Sequence, residues 1–266
     1  MPNPTIMRLP KPLSLMHLRR LFAGSDPDKA ALFAGLLPWD YFYEAHDFSG
    51  TLDSVKWSTA VTVGGAPTAF AYNAQRNGAV RGATGATDNG VTKLYYANVI
   101  FDAADNPVML IRWKAPAAVT GFSFEIGFSD EATDEALPGV TDVDTPATGN
   151  GVTDIVCVHM DTDQTLTTAA LVGDGTTPAA AKTNIGTWTP TVDGWIEMMI
   201  AVRAGLGFAS IWDSGAQQGG LIYSVGSGPD AAVLMRPYAL FRTRNTVTKQ
   251  IDIDHIILVA ERNATT

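Results

Sequence analysis

From residue 41 onward, apolar and polar residues alternate with a period of two. The clearest stretch is Phe122-Ser123-Phe124-Glu125-Ile126-Gly127-Phe128. It predicts a strand with its phenylalanines and isoleucine on one face and Ser, Glu and Gly on the other. Val108–Lys114 reads as another strand, and the turn Asp102–Pro107 predicts a hairpin joining it to Leu94–Phe101. Further strands are predicted at 154–160, 165–172, 195–203, 208–212, 221–225, 234–242 and 250–259, with Ala204–Gly207 as a hairpin connection. Strand does not alternate with helix after residue 40, which excludes a parallel α/β fold. No repeat of 20–50 residues points to a propeller or solenoid. About a dozen short strands between Gly, Asp, Thr and Pro turns predict an all-β, two-sheet antiparallel sandwich over residues 41–266.

Residues 1–40 carry a different pattern and predict an N-terminal arm. Pro2, Pro4, Pro10 and Pro12 fix the backbone and remove donors, so the first stretch is expected to be extended. Ser14 then caps a short helix with the apolar face Leu15, Leu18, Leu21 and Phe22, stopped by Gly24. Asp26-Pro27 starts a second short helix that ends before Pro38. Neither helix is long enough to persist alone in water.

Composition narrows the class. Hydrophobic residues make up 46% of the 266 and charged residues 17%, enough apolar content for a sizeable core. The single cysteine, Cys157, excludes an internal disulfide framework and sits in a strand predicted to be buried. Leu13–Phe22 is interrupted by His17, Arg19 and Arg20 and makes a poor secretory signal, and no window has the apolar length of a membrane span. The net charge of −9 is unevenly placed. Residues 1–25 hold Arg8, Lys11, Arg19 and Arg20 and no acid, which leaves 14 basic and 27 acidic side chains in the remainder. An acidic body disfavours nucleic acid, and a basic arm fits an acidic partner such as a sibling subunit.

Two segments carry a family likeness. Asp47-Phe48-Ser49-Gly50-Thr51-Leu52-Asp53-Ser54-Val55-Lys56-Trp57 resembles the opening strand of concanavalin A-like lectin/glucanase sandwiches, where an acidic-aromatic pair, a Gly-x-Leu turn and a Trp recur. Ile251–Val259 resembles the closing strand of the same jelly roll, which pairs beside the first. Modules of this type are common in bacteriophage virion proteins, attached by a short N-terminal arm. The resemblance implies three chemistries to look for. Glucanases of the class carry catalytic acids in a Glu-x-Asp-x-x-Glu pattern. The nearest acidic run, Asp130-Glu131-Ala132-Thr133-Asp134-Glu135, lacks that spacing and reads as a solvated loop. Lectins of the class bind calcium through loop acids, and Asp161 and Asp163 offer oxygens at alternate positions without the fixed Gly and closing Glu of an EF-hand loop. Sugar-binding sandwiches stack glycans on exposed aromatics, for which Trp188 is the candidate.

Asp252 and Asp254 share a strand face and read as a solvent-facing edge. His17, His46, His159 and His255 show no metal-ligand spacing, and no nucleophile or phosphate-loop motif is present. No catalytic residue and no cofactor is therefore assigned, with calcium as the one cofactor the resemblance raises. The leading expectation is a non-enzymatic bacteriophage virion structural protein, a capsid or tail decoration or fibre module. Its arm residues Arg8, Lys11, Leu15, Leu18, Arg19, Arg20, Leu21 and Phe22 would dock on sibling subunits or other virion proteins. The alternatives are a lectin-like module that binds a cell-surface glycan or receptor, and a polysaccharide hydrolase.

Overall fold

A computed structural model describes residues 41–48, 52–62, 64–73, 78–133, 136–142, 147–163, 169–175, 181–186, 188–203, 205–218 and 222–261. The chain divides into two units, Met1–Trp39 and Asp40–Thr266, and every described residue lies in the second. Its strands run β1 (Tyr41–His46), β2 (Trp57–Val61), β3 (Thr68–Tyr72), β4 (Val80–Ala83), β5 (Val91–Tyr96), β6 (Phe101–Asp102) and β7 (Val108–Lys114). They continue with β8 (Phe122–Ser129), β9 (Val140–Asp142), β10 (Ala147–Thr148), β11 (Ile155–Asp161), β12 (Ala169–Asp174) and β13 (Ala181–Gly186). The last are β14 (Trp195–Arg203), β15 (Leu206–Asp213), β16 (Ala216–Gln217), β17 (Tyr223–Val225), β18 (Leu234–Thr243) and β19 (Gln250–Glu261).

Two large sheets stack into a sandwich. The nine-stranded sheet follows β16-β15-β14-β7-β19-β4-β3, with β1 also on β19 and β17 on β15. The eight-stranded sheet follows β13-β12-β11-β8-β18-β5-β2, with β6 on β18. The described pairings are antiparallel, as the period of two predicts. Between the sheets lie Phe122, Phe124, Ile126 and Phe128 of β8, with Trp113 of β7 and Phe241 of β18. Trp113 meets Phe124 at 5.1 Å and Phe241 at 5.2 Å between ring centroids. Each such side chain contributes roughly 1.5–3 kcal/mol by burial.

Three expectations change. The turn at Asp102–Pro107 does not close a hairpin. β5 already has β18 on one side and β2 on the other, so the chain crosses at Ala103–Asp105 and enters the other sheet as β7. The opening strand is β1, which precedes the segment 47–57. β1 does pair with β19, from Tyr41↔Glu261 to His46↔Ile256, so the closing strand lies beside the first as expected. Asp252 and Asp254 are not on an exposed edge, because β19 is interior to its sheet. Asp252 takes a two-pronged bond from Arg81 at 2.6 and 2.8 Å, and Asp254 accepts from Arg112 at 2.7 Å.

One polar cluster pins the two sheets together near the start of the sandwich. Glu44 of β1 accepts the Tyr96 hydroxyl of β5 at 2.8 Å, pairs with Lys56, and has His46 Nε2 at 2.9 Å from its Oε1. Burial alone would raise the Glu44 carboxyl, but these donors outweigh it and hold it down from 4.5 to about 2. A carboxyl lowered in the folded state stabilises the fold above its ordinary value and loses that contribution as pH falls toward the folded value. Stability of the wild-type chain is therefore expected to drop between pH 4.5 and about pH 2. Glu44→Gln should be less stable at pH 7 and show a shallower acid loss, read from urea midpoints across pH. Parallel acid profiles for the two proteins would refute the pin.

Candidate functional site: the covered face of the eight-stranded sheet

A sandwich sheet has one face on its partner sheet and one outside. On β8 the outside face holds Ser123, Glu125, Gly127 and Ser129, yet all eight residues of the strand are buried. The same is true of all seven residues of β11 and all six of β5 and β12. The cover comes from the segment that follows β8, in its described parts 130–133, 136–142 and 147–152. Ala136, Val140 and Val152 of this strap pack on Val91, Tyr95, Cys157, Ala170, Val172, Tyr238 and Leu240, a second core distinct from the one between the sheets.

Under the strap lies a polar floor set by strand register. Glu125 stands opposite His159 of β11 and Leu240 of β18, and Leu240 stands opposite Lys93 of β5. One step along, Gly127 is flanked by Cys157 and Tyr238, with Tyr95 beyond. A Cβ at Gly127 would sit 2.0 Å from the Val156 carbonyl oxygen, so the close approach of β8 and β11 there requires glycine. Glu125 is fully buried. It accepts the backbone N–H of Gly139 at 2.8 Å and of Val140 at 3.3 Å, both from the strap, and the Tyr238 hydroxyl at 3.2 Å. His159 Nδ1 lies 3.3 Å from its Oε1.

Charge ties the strap down a second time. Lys93 of the floor pairs with Glu131 of the strap, and both are buried. The Lys93 ammonium lies 5.5 Å from the Tyr95 ring centroid and 5.4 Å from that of Tyr238. Arg236 stacks on Tyr95 at 4.4 Å and donates to the Thr133 carbonyl of the strap. Burial pushes the Lys93 ammonium down and the Glu131 carboxyl up, while each partner's charge opposes that push in the other. Burial also pushes the Cys157 thiol well up, so it is a protonated core group rather than a nucleophile.

The structure rearranges the residues singled out by sequence. Glu131 is no solvated loop acid, because its carboxylate is drawn inward by Lys93. Asp130 instead accepts from the Thr153 amide at 3.0 Å and its hydroxyl at 2.6 Å, closing the base of the strap. Asp161 lies 3.0 Å from Arg242 and 3.2 Å from Arg244, and Asp163 lies 3.5 Å from Arg244, so both acids of the calcium expectation face guanidinium groups. Among the described residues no three His, Cys, Asp or Glu are grouped to hold a metal. Trp188 is half-buried, edge-on to Phe124 at 6.1 Å, and its indole N–H donates to Asp213 at 3.1 Å. Its ring thus packs against the core from the side while part of it stays exposed. Arg8, Lys11, Leu15, Leu18, Arg19, Arg20, Leu21 and Phe22 lie outside the described residues. Lys93, Tyr95, Arg236 and Tyr238 went unnoticed in the sequence because only strand register brings them together.

By sequence the chain matches no protein-family model and no curated protein. By structure it is similar to a protein of unknown function from Shewanella oneidensis MR-1, with a TM-score of 0.59, 16% identity, and coverage of 91% of this chain and 96% of that one. It is similar to peanut lectin, with a TM-score of 0.58, 12% identity, and coverage of 85% and 99%. It is also similar to the CBM2 module of the evolved Dit of Lactobacillus casei BL23 phage J-1, with a TM-score of 0.50, 10% identity, and coverage of 85% and 99%. The fold is the concanavalin A-like jelly-roll sandwich. No described helix is long and apolar enough to cross a membrane.

The latch makes a stability signature. Lys93→Met or Glu131→Gln leaves one buried group without its partner and should cost about 3–5 kcal/mol. The double variant Lys93→Met/Glu131→Leu should recover most of that loss in urea unfolding. Single variants as stable as the wild type would show that the pair does not hold the strap.

Proposed function

We propose that this chain is a non-enzymatic structural protein of a bacteriophage particle, with the sandwich displayed and residues 1–40 serving as the attachment arm. The observation that carries the non-enzymatic half is the covered face. Glycosidic chemistry needs two carboxyls that a substrate can reach. Glu125 is buried beneath the strap and Glu131, on the strap, is buried against Lys93, with their charges spent on strap amides and on that lysine. The likeness to a phage Dit module supports the particle half. The composition of the arm supports attachment, since it combines four basic residues, an apolar stripe and four prolines. The reading needs no metal, and Asp161 and Asp163 serve it as partners of arginine.

A second reading, a glycan- or receptor-binding module, is favoured by the likeness to peanut lectin. In that case the ligand would meet the loops or the outside of the nine-stranded sheet, because the strap occupies the other face. A polysaccharide hydrolase is the least supported of the three, for the reason just given.

Deletion of residues 1–37 tests the proposal. The truncated chain is expected to fold as a β protein but to be lost from particles assembled in its presence, by immunoblot of purified virions. Attachment of the full chain should weaken partly with salt, because the basic residues are screened and the apolar stripe is not. Incorporation of the truncated chain at wild-type level would overturn the anchoring role.

A further inference from the structure

The Lys93–Glu131 pair differs from the other ion pairs of the sandwich in how thoroughly it is dried. Its two side chains are 1% and 5% exposed. In the other pairs of lysine or arginine with a carboxylate, among the described residues, the cation is 10% exposed or more. The cation here is also a primary amine, which unlike a guanidinium becomes a nucleophile once it loses a proton. Its surroundings complete a reaction site. Tyr95 and Tyr238 wall the ammonium with their rings. Arg236, stacked on Tyr95, acts through its charge on both members of the pair, and so does Glu125, buried in the floor.

In water an amine and a carboxyl persist as ions, because hydration stabilises both charges. Burial removes that hydration, and the attraction within a buried ion pair recovers only part of it. The same loss pushes the ammonium down and the carboxyl up, toward the neutral amine and acid that can react. The fold holds the two groups against each other, which turns an encounter in solution into a step within one molecule. An amide between them carries no net charge, so it removes the burial cost of both ions at once.

We propose that Lys93 and Glu131 condense into an intramolecular amide that ties β5 covalently to the strap. The ion pair is the starting state, and the bond forms from it after folding. Transfer of one proton from the ammonium to the carboxylate gives the amine and the acid. The Lys93 Nζ then forms a bond to Cδ of Glu131, and the charge of Arg236 favours the negative oxygen of the tetrahedral intermediate. The bond from Cδ to the hydroxyl oxygen breaks, and the hydroxyl leaves as water with a proton from Nζ. Nothing is oxidised or reduced, and no co-reactant is consumed. The product closes a loop between residues 38 apart that contains β6, β7 and β8, so the strap cannot lift from β5 while the bond is intact. The cost of Lys93→Met or Glu131→Gln given above is that of the ion-paired chain, before the bond forms. The bond is independent of the arm and of any role in a particle.

The test is intact-mass spectrometry of the full chain, refolded from urea and sampled over time at a temperature below its unfolding transition. The mass should fall from that of the sequence by one water, and the lighter species should accumulate. Tandem mass spectrometry of a protease digest should find the peptide bearing Lys93 joined to the peptide bearing Glu131. On a reducing, denaturing gel the closed loop should migrate ahead of the open chain. Lys93→Arg keeps the cation but cannot form the bond, and Glu131→Ala removes the carboxyl. Both variants should stay at their own sequence mass. If either fails to fold, the linked peptide from the wild-type chain decides. A wild-type chain that keeps its full sequence mass overturns the proposal, and the ion-paired latch then stands without the bond. A water loss that maps anywhere other than Lys93 and Glu131 overturns it as well, such as a ring closure at Asp174-Gly175.

Discussion

Everything in this sandwich depends on how the second face of the eight-stranded sheet is closed. A sheet packed on one side still presents a broad surface on the other, and here that surface carries ionisable groups. Glu125, His159, Lys93 and Arg236 could each be solvated if the face were open. Once covered, each must find a partner, because an unpaired buried charge costs several kcal/mol. The strap meets that demand with two kinds of group. Its amides at Gly139 and Val140 serve the floor acid, and its Glu131 serves the floor lysine. The apolar contacts of Val140 and Val152 supply attraction but little direction. The polar contacts fix where along the sheet the strap sits.

That division explains what could be read from the chain and what could not. The strand Phe122–Phe128 was legible because its alternation is strong. The same alternation does not reveal that Glu125 is covered, since polar positions on a sandwich strand ordinarily face water. A contrary signal was present nearby. Ile155-Val156-Cys157-Val158-His159-Met160 is nearly continuous in apolar residues, which is how strands buried on both faces read. Since β11 adjoins β8, its composition implied a cover for both. The Lys93–Glu131 pair joins residues 38 apart and rests on a register that no local pattern specifies. The Asp102–Pro107 turn failed for a related reason. Local turn chemistry was correct, with Asp102 capping and Asn106 left-handed, but the destination of the next strand was set by the neighbours of β5.

A fold shared with lectins does not bring their chemistry with it. In this chain the groups that could have formed a reactive site are converted into structure. Two carboxyls, two cations and two tyrosines become a latch, and the thiol beneath them is kept protonated by burial. Asp161 and Asp163 follow the same logic, facing the guanidinium groups of Arg242 and Arg244. The recurrent choice is internal neutralisation.

Closure of the faces then shifts attention to the flanks. Once one face of the eight-stranded sheet packs on the other sheet and the second lies under the strap, its backbone can meet further strands only at its ends. One end is tied across to the other sheet through Thr183 and Ser224 and bears a lysine. The other ends in a regular, uncharged strand. There the Trp57 N–H, which points away from β5, is taken by the Asp53 carbonyl at 2.8 Å, so a turn of the same chain occupies that edge where it begins.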